Sequence, residues 1–186
     1  MHRSPYAFLA ALASGCFTAG VQGGGFVPLD GAPCRCYSTR FRGGGFINGL
    51  PKPFPVIVEP FFSMGLGPLG KKSDAPISFG GRLTSRSRGA RPGVYVQGEF
   101  GAPPSVERPG NSVALSAGAA WSVVDIPDDD YWLPDWLGIM SIGITYWHQR
   151  QDNIGTGEFI GIEATFTGGT NVETLLQGLL KGAGKD

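Results

Sequence analysis

Between residues 111 and 169 the chain holds three segments that alternate apolar with small or polar side chains at period two. In 112–124, Val113, Leu115, Ala117, Ala119, Trp121 and Val123 fall on one face, and Ser112, Ala114, Ser116, Gly118, Ala120 and Ser122 fall on the other. Residues 139–148 repeat the rule with Met140, Ile142, Ile144 and Tyr146 against Ser141, Gly143 and Thr145. Residues 158–167 repeat it again, with Ile160, Ile162, Ala164 and Phe166 against Gly161, Glu163, Thr165 and Thr167. A helix would mix these two sets, because it brings together residues three and four apart; a strand keeps them separate.

Two further segments obey the rule. Ile77, Phe79 and Leu83 alternate with Ser78, Gly80, Arg82 and Thr84, and after residues 89–92 Val94, Val96 and Phe100 alternate with Tyr95, Gln97 and Glu99. The connections 101–110, 125–137 and 149–157 are polar or proline-rich, as hairpin loops are. Residues 56–67 also alternate, with Val56, Val58, Phe62, Met64 and Leu66 against Glu59, Ser63 and Gly65; Pro60 among them costs a ladder hydrogen bond and implies an edge or a bulge. These strands predict an all-β fold, an antiparallel meander barrel of about eight strands over residues 56–169.

The flanks read differently. Residues 16–55 are punctuated by Gly and Pro, with Gly-Gly-Gly-Phe at 23–26 echoed at 43–46, which suits a linker outside the barrel; residues 36–42 carry one short strand signal. At the other end Thr170, Asn171, Val172 and Glu173 have capping-box spacing. Val172, Leu175, Leu176, Leu179 and Leu180 then fall on one helical face, so 170–186 predicts a short amphipathic helix and tail.

A chain of 186 residues is one domain. Its 15 basic and 15 acidic residues cancel, which argues against nucleic acid, since phosphate binding needs an electropositive face. No apolar run reaches the roughly 20 residues of a spanning helix. Residues 1–15 have the plan of a secretory signal: His2 and Arg3, a short apolar core over 6–13, then small residues. Two processing signatures compete there. Ala11-Leu12-Ala13 fits an A-x-A cleavage site, while residues 12–16, ending in Cys16, resemble the lipobox of bacterial lipoproteins, whose cysteine is acylated. Lipidation of Cys16 would leave Cys34 and Cys36 as an even pair for a disulfide in an oxidising compartment, though one closing a very tight ring.

The composition of the two faces suggests which one meets water. A soluble sheet presents long charged side chains, whereas a narrow membrane barrel fills its lumen with small residues and a few paired charges. Here the second face is Ser, Gly, Ala and Thr, interrupted by Arg82, Glu99 and Glu163, and these three are expected inside, with Arg82 as the partner of Glu163. Tyr131, Trp132, Trp136 and Trp147 near strand ends suit a membrane interface. In this general pattern residues 77–169 resemble the small outer-membrane β-barrel proteins of Gram-negative bacteria, in which a terminal-strand aromatic, here Phe166, serves assembly. The resemblance implies a cell-envelope protein of the outer membrane or periplasm. Its partners would be outer-membrane lipid and other envelope proteins, and a homo-oligomer, or several chains sharing one barrel, is compatible with it.

Signals for chemistry are sparse. His148 is the one histidine outside the signal and lies at a strand end. Some outer-membrane barrels that deacylate lipid A carry a serine two residues after such a histidine; Arg150 stands there, so a hydrolase using His148 lacks its nucleophile. Asp128, Asp130 and Asp135 offer hard oxygen atoms of the kind calcium takes but lack EF-hand spacing, so a solvated acidic turn is expected and no metal. Gly23, Gly24 and Gly25 lack the strand-to-helix context of a phosphate loop, and no cofactor is expected. The expected function is non-enzymatic, a structural or interaction role in the envelope; the alternatives are a soluble periplasmic barrel or sandwich lipoprotein binding an apolar ligand, and the hydrolase.

Overall fold

The computed structural model describes residues 16–46, 56–70, 75–85, 92–102, 109–122, 136–152 and 154–171. They form eight strands: β1 (Cys16–Pro28), β2 (Tyr37–Phe46), β3 (Val56–Leu66), β4 (Ile77–Ser85), β5 (Gly93–Ala102), β6 (Gly110–Ser122), β7 (Trp136–Gln151) and β8 (Gly155–Asn171). Each strand pairs antiparallel with the next. The sheet then closes, β1 running against β8 from Cys16 opposite Asn171 to Pro28 opposite Phe159. The fold is a closed eight-stranded meander barrel, and closure excludes the sandwich alternative.

One chain supplies all eight strands, so no sharing between chains is needed to complete the sheet. The expectation that 16–55 lies outside the barrel fails for the same reason: β1 and β2 are two of its staves. Their glycines are there for close approach. A Cβ on Gly24 would lie 2.2 Å from the Ile162 carbonyl oxygen and 2.6 Å from Glu163 Cγ, and one on Gly44 would lie 2.3 Å from the Pro60 carbonyl oxygen. Side chains at those two points would push neighbouring strands or lumenal groups apart. The glycine content that suits a linker is what lets the wall close.

Pro60 implies an edge or a bulge, and a closed barrel has no edge. The β2–β3 ladder instead ends at Gly44 opposite Phe61, one residue before the proline that has no N–H to donate, while Pro60 keeps its register with Gly81 of β4. Thr170 and Asn171, expected to start a helix, continue β8 opposite Phe17 and Cys16. The rest of that helix lies outside the described residues, as do the signal segment, Tyr131, Trp132, Asp128, Asp130 and Asp135.

Alternation places one face of every strand in the lumen and the other outside, and the burial of residues 37–42 repeats exposed, buried through the whole segment. The lumen holds two apolar clusters with a polar layer between. Near the rim where β1 begins and β8 ends are Phe46, Ile57, Tyr95, Ala120 and Ile139; near the opposite rim are Phe26, Leu69, Ala114, Trp147 and Phe159. Gly25 points outward, and a Cβ placed there would meet nothing within 4 Å, in contrast to Gly24. Gly24→Ala should therefore lower the urea midpoint by an amount equivalent to about 1–3 kcal/mol. Gly25→Ala should leave it within about 0.5 kcal/mol; equal effects from the two would contradict the packing described.

Candidate functional site

The polar layer is built from alternate residues of six strands. On β2, Arg40 and Arg42 are two apart and so share the inward face; Glu59 comes from β3, Arg82 from β4, Gln97 and Glu99 from β5, Glu163 from β8 and Gln22 from β1. Three arginines meet three glutamates, all buried, so the described lumen is balanced in formal charge. Arg40 sits at the centre. Its guanidinium donates to both Glu163 oxygens, at 2.8 and 2.9 Å, and also pairs with Glu99.

The carboxylates are held from other sides too. Gln22 donates to Glu163 at 2.8 Å, Ser38 donates to the same carboxylate, and Ser63 donates to Glu99 at 3.0 Å. Gln97 separates two like charges: its side-chain oxygen accepts from Arg42 at 2.9 Å and from Arg82 at 3.0 Å. Arg42 also lies 3.4 Å from Glu59 as an ion pair. Each guanidinium covers an aromatic ring, Arg40 over Trp147 at 4.3 Å, Arg42 over Phe61 at 3.7 Å and Arg82 over Tyr95 at 4.4 Å from the centroids. Planar, weakly hydrated guanidinium groups suit this double use, in a way that a lysine ammonium does not.

Arg82, Glu99 and Glu163 all lie in the lumen, but the expected pairing of Arg82 with Glu163 does not form. Arg82 bonds Gln97 and Ser141, at 3.0 and 2.9 Å. Glu163 lies opposite Gly24, which in turn lies opposite Ser38. With no side chain at Gly24, the carboxylate reaches across β1 to Ser38 and Arg40 on β2. Glu59 falls on the polar face that the sequence predicts for residues 56–67, with no partner predicted for it; Arg40 and Arg42 escaped that reading, although the period-two spacing of Ser38, Arg40 and Arg42 against Thr39 and Phe41 carried the signal.

Trp147 requires a correction. It is expected at a membrane interface, yet it is buried in the lumen, because it shares strand parity with Ser141 and Thr145 and not with Tyr146. Its ring also meets Phe26 edge-on, 5.8 Å between centroids. Trp136 and Cys16 are the first residues of β7 and β1. Cys34 and Cys36 are joined by a disulfide, with Cα atoms 5.0 Å apart.

His148 faces outward at the end of β7, half-exposed, with Nδ1 3.7 Å from a Glu158 oxygen. Arg150, in the place of a nucleophile, lies 3.6 Å from Asp152. That gives a polar rim with one ion pair, Arg150–Asp152, and without a hydroxyl or thiol bonded to the imidazole among the described residues. No group of three or more metal-ligating side chains occurs among the described residues either.

The outer wall is the complement of the lumen. Phe79 is 70 % exposed, Phe41 67 %, Ile144 62 % and Ile162 59 %. On the outward faces of the described strands the only charged or imidazole side chains are His148, Arg150 and Glu158, all at the β7–β8 hairpin end. On β1 the outward apolar residues run from Phe17 to Val27. Ten residues at about 3.3 Å each and a tilt of about 40° give a band roughly 25 Å tall, the height of the apolar band on membrane barrels.

No protein-family model matches this chain, and neither the curated proteins nor the solved structures contain a match to it. Its own geometry therefore carries the functional argument. Removing Arg40 strands two carboxylates, so Arg40→Met should cost about 3–5 kcal/mol of unfolding free energy. Adding Glu163→Gln and Glu99→Gln should recover more than half of that loss; a triple variant as unstable as the single one would contradict the ion-pair account.

Proposed function

We propose that this chain is a membrane-embedded β-barrel of the bacterial cell envelope with a structural or interaction role, its ionic lumen performing no catalysis. One observation carries the reading: the barrel turns charge inward and a continuous uncharged apolar band outward. A soluble lipid-binding barrel arranges its faces the other way, with an apolar chamber inside and charge against water. The outer wall would expose an apolar band to water in that setting, which invites association. Against lipid, by contrast, a single Arg or Lys at mid-depth costs roughly 2–4 kcal/mol, and the outward band carries neither.

The filled lumen supports a role other than conduction. Arg40, Arg42, Arg82 and their carboxylate partners occupy its middle, and apolar clusters occupy both ends. An eight-stranded barrel has room for side chains and little more. Export through the signal at residues 1–15 and acylation of Cys16 belong to the same proposal; Cys16 is the first residue of β1, paired with Asn171 at one rim of the barrel.

The reading is tested by expressing the full chain in a Gram-negative host, separating membrane from soluble fractions and running the product on a gel with and without heating. The expected result is recovery with the outer membrane, faster migration of the unheated form, and an intact mass carrying acyl chains on Cys16. Folded protein in the aqueous periplasmic fraction would overturn the membrane assignment, and an unmodified mature chain beginning at Ser14 would replace acylation with plain cleavage.

A further inference from the structure

At the rim where β1 ends and β2 begins, residues 29–36 and 67–70 of the β1–β2 and β3–β4 connections pack over the lumenal cluster. The backbone of Cys34 bridges to Leu69, the Arg35 N–H donates to the Pro68 carbonyl oxygen at 2.7 Å, and the Gly70 N–H donates to the Pro33 carbonyl oxygen at 2.8 Å. Arg35 fastens the crossing from above, its guanidinium donating to the carbonyl oxygens of Gly67 and Gly70 at 3.3 and 3.4 Å. Leu69 is fully buried against Phe26, Trp147 and Phe159, and Cys34 packs half-buried on that cluster. The strap is therefore held by backbone bonds, one guanidinium and a buried leucine, none of which needs a cross-link.

The disulfide adds little to this. A cross-link stabilises by closing a loop in the unfolded chain, and its effect grows with loop length. Here the bonded residues are only two apart. What the pair does have is asymmetry. Cys34 is anchored in the strap, whereas Cys36 is exposed and has a φ of +63°, in the left-handed region that residues bearing a Cβ adopt at a cost. The Phe26 N–H, donating to the Cys36 carbonyl oxygen at 2.9 Å, holds it there.

We propose that Cys34–Cys36 is a thiol–disulfide exchange centre, with low-molecular-weight thiols as its substrate class. The substrate thiolate attacks the exposed Cys36 sulfur; the new bond forms there, the Cys34–Cys36 bond breaks, and Cys34 leaves as a thiolate that takes up a proton. A second substrate thiolate attacks the substrate sulfur of the mixed disulfide and releases Cys36, which is protonated in turn. Two thiols are oxidised to one disulfide, and the protein pair gains two electrons and two protons. An exposed, backbone-strained pair has the character of exchangeable disulfides, where buried cross-links resist thiols. The proposal needs access to this rim and does not depend on the membrane reading.

The test uses the folded full chain, first oxidised with oxidised glutathione and then exposed to excess reduced glutathione, with acid quench, alkylation and mass analysis of the Cys34–Cys36 segment. The expected result is reduction of the pair while the unheated protein keeps its folded mobility. With oxidised glutathione, the Cys34→Ser variant should acquire a glutathione on Cys36 at least about tenfold faster than Cys36→Ser acquires one on Cys34. A pair that fails to oxidise, a pair that stays oxidised in excess thiol with the barrel folded, or equal capture by the two single variants would overturn the proposal.

Discussion

Three guanidinium groups and three carboxylates share the lumen of this barrel, and neither set is tolerable there without the other. Taking one ion out of water costs several kcal/mol, and mutual pairing with further hydrogen bonds is what offsets that cost. Arg40 bridges β5 and β8 through Glu99 and Glu163, Arg42 faces β3 through Glu59, and Arg82 reaches β7 through Ser141. The Arg40–Glu99, Arg40–Glu163 and Arg82–Ser141 links cross the interior between strands that share no backbone bonds, whereas Arg42–Glu59 reinforces the β2–β3 pair. The chemistry of the lumen then dictates that of the outer wall, because period-two alternation leaves the remaining side chains no other direction to point.

Small residues make that arrangement fit. Gly24 lies between Glu163 and Ser38, and its missing side chain is the space through which the carboxylate reaches β2. Gly143 does the same for Tyr95, whose hydroxyl lies 2.3 Å from where a Cβ would be. The glycine-rich stretches are thus part of the electrostatic design: a Cβ at Gly24 would crowd both the Ile162 carbonyl oxygen, at 2.2 Å, and Glu163 Cγ, at 2.6 Å.

Much of this was legible in the residues. The alternation at 112–122, 139–148 and 158–167 revealed three strands and both of their faces, since the second face is small over 112–122, 141–145 and 161–167 except at Glu163. The first half was harder, because Gly and Pro lower strand propensity and their use for close packing shows only once β1 meets β8. Trp147 was misplaced because an aromatic near a strand end suits an interface, while its parity with Thr145 sends it inward. Arg40 and Glu59 were missed as a site because ion pairing across a closed sheet joins residues such as Arg40 and Glu163, whose sequence separation carries no signal.

A barrel with an ionic, plugged lumen and an uncharged apolar wall is suited to being held in lipid and poorly suited to conducting through its centre. The role proposed for it is accordingly interaction at its rims or wall. The two-faced wall is tested most directly by fluorescence of variants that keep a single tryptophan, either Trp121 or Trp147, the others replaced by Phe, in bilayers with brominated acyl chains. Trp121 is 37 % exposed on the outer wall and Trp147 is 1 % exposed in the lumen. The account predicts strong quenching of Trp121 by brominated chains and weak quenching of Trp147; quenching of Trp121 by aqueous iodide with no response to brominated lipid would contradict it.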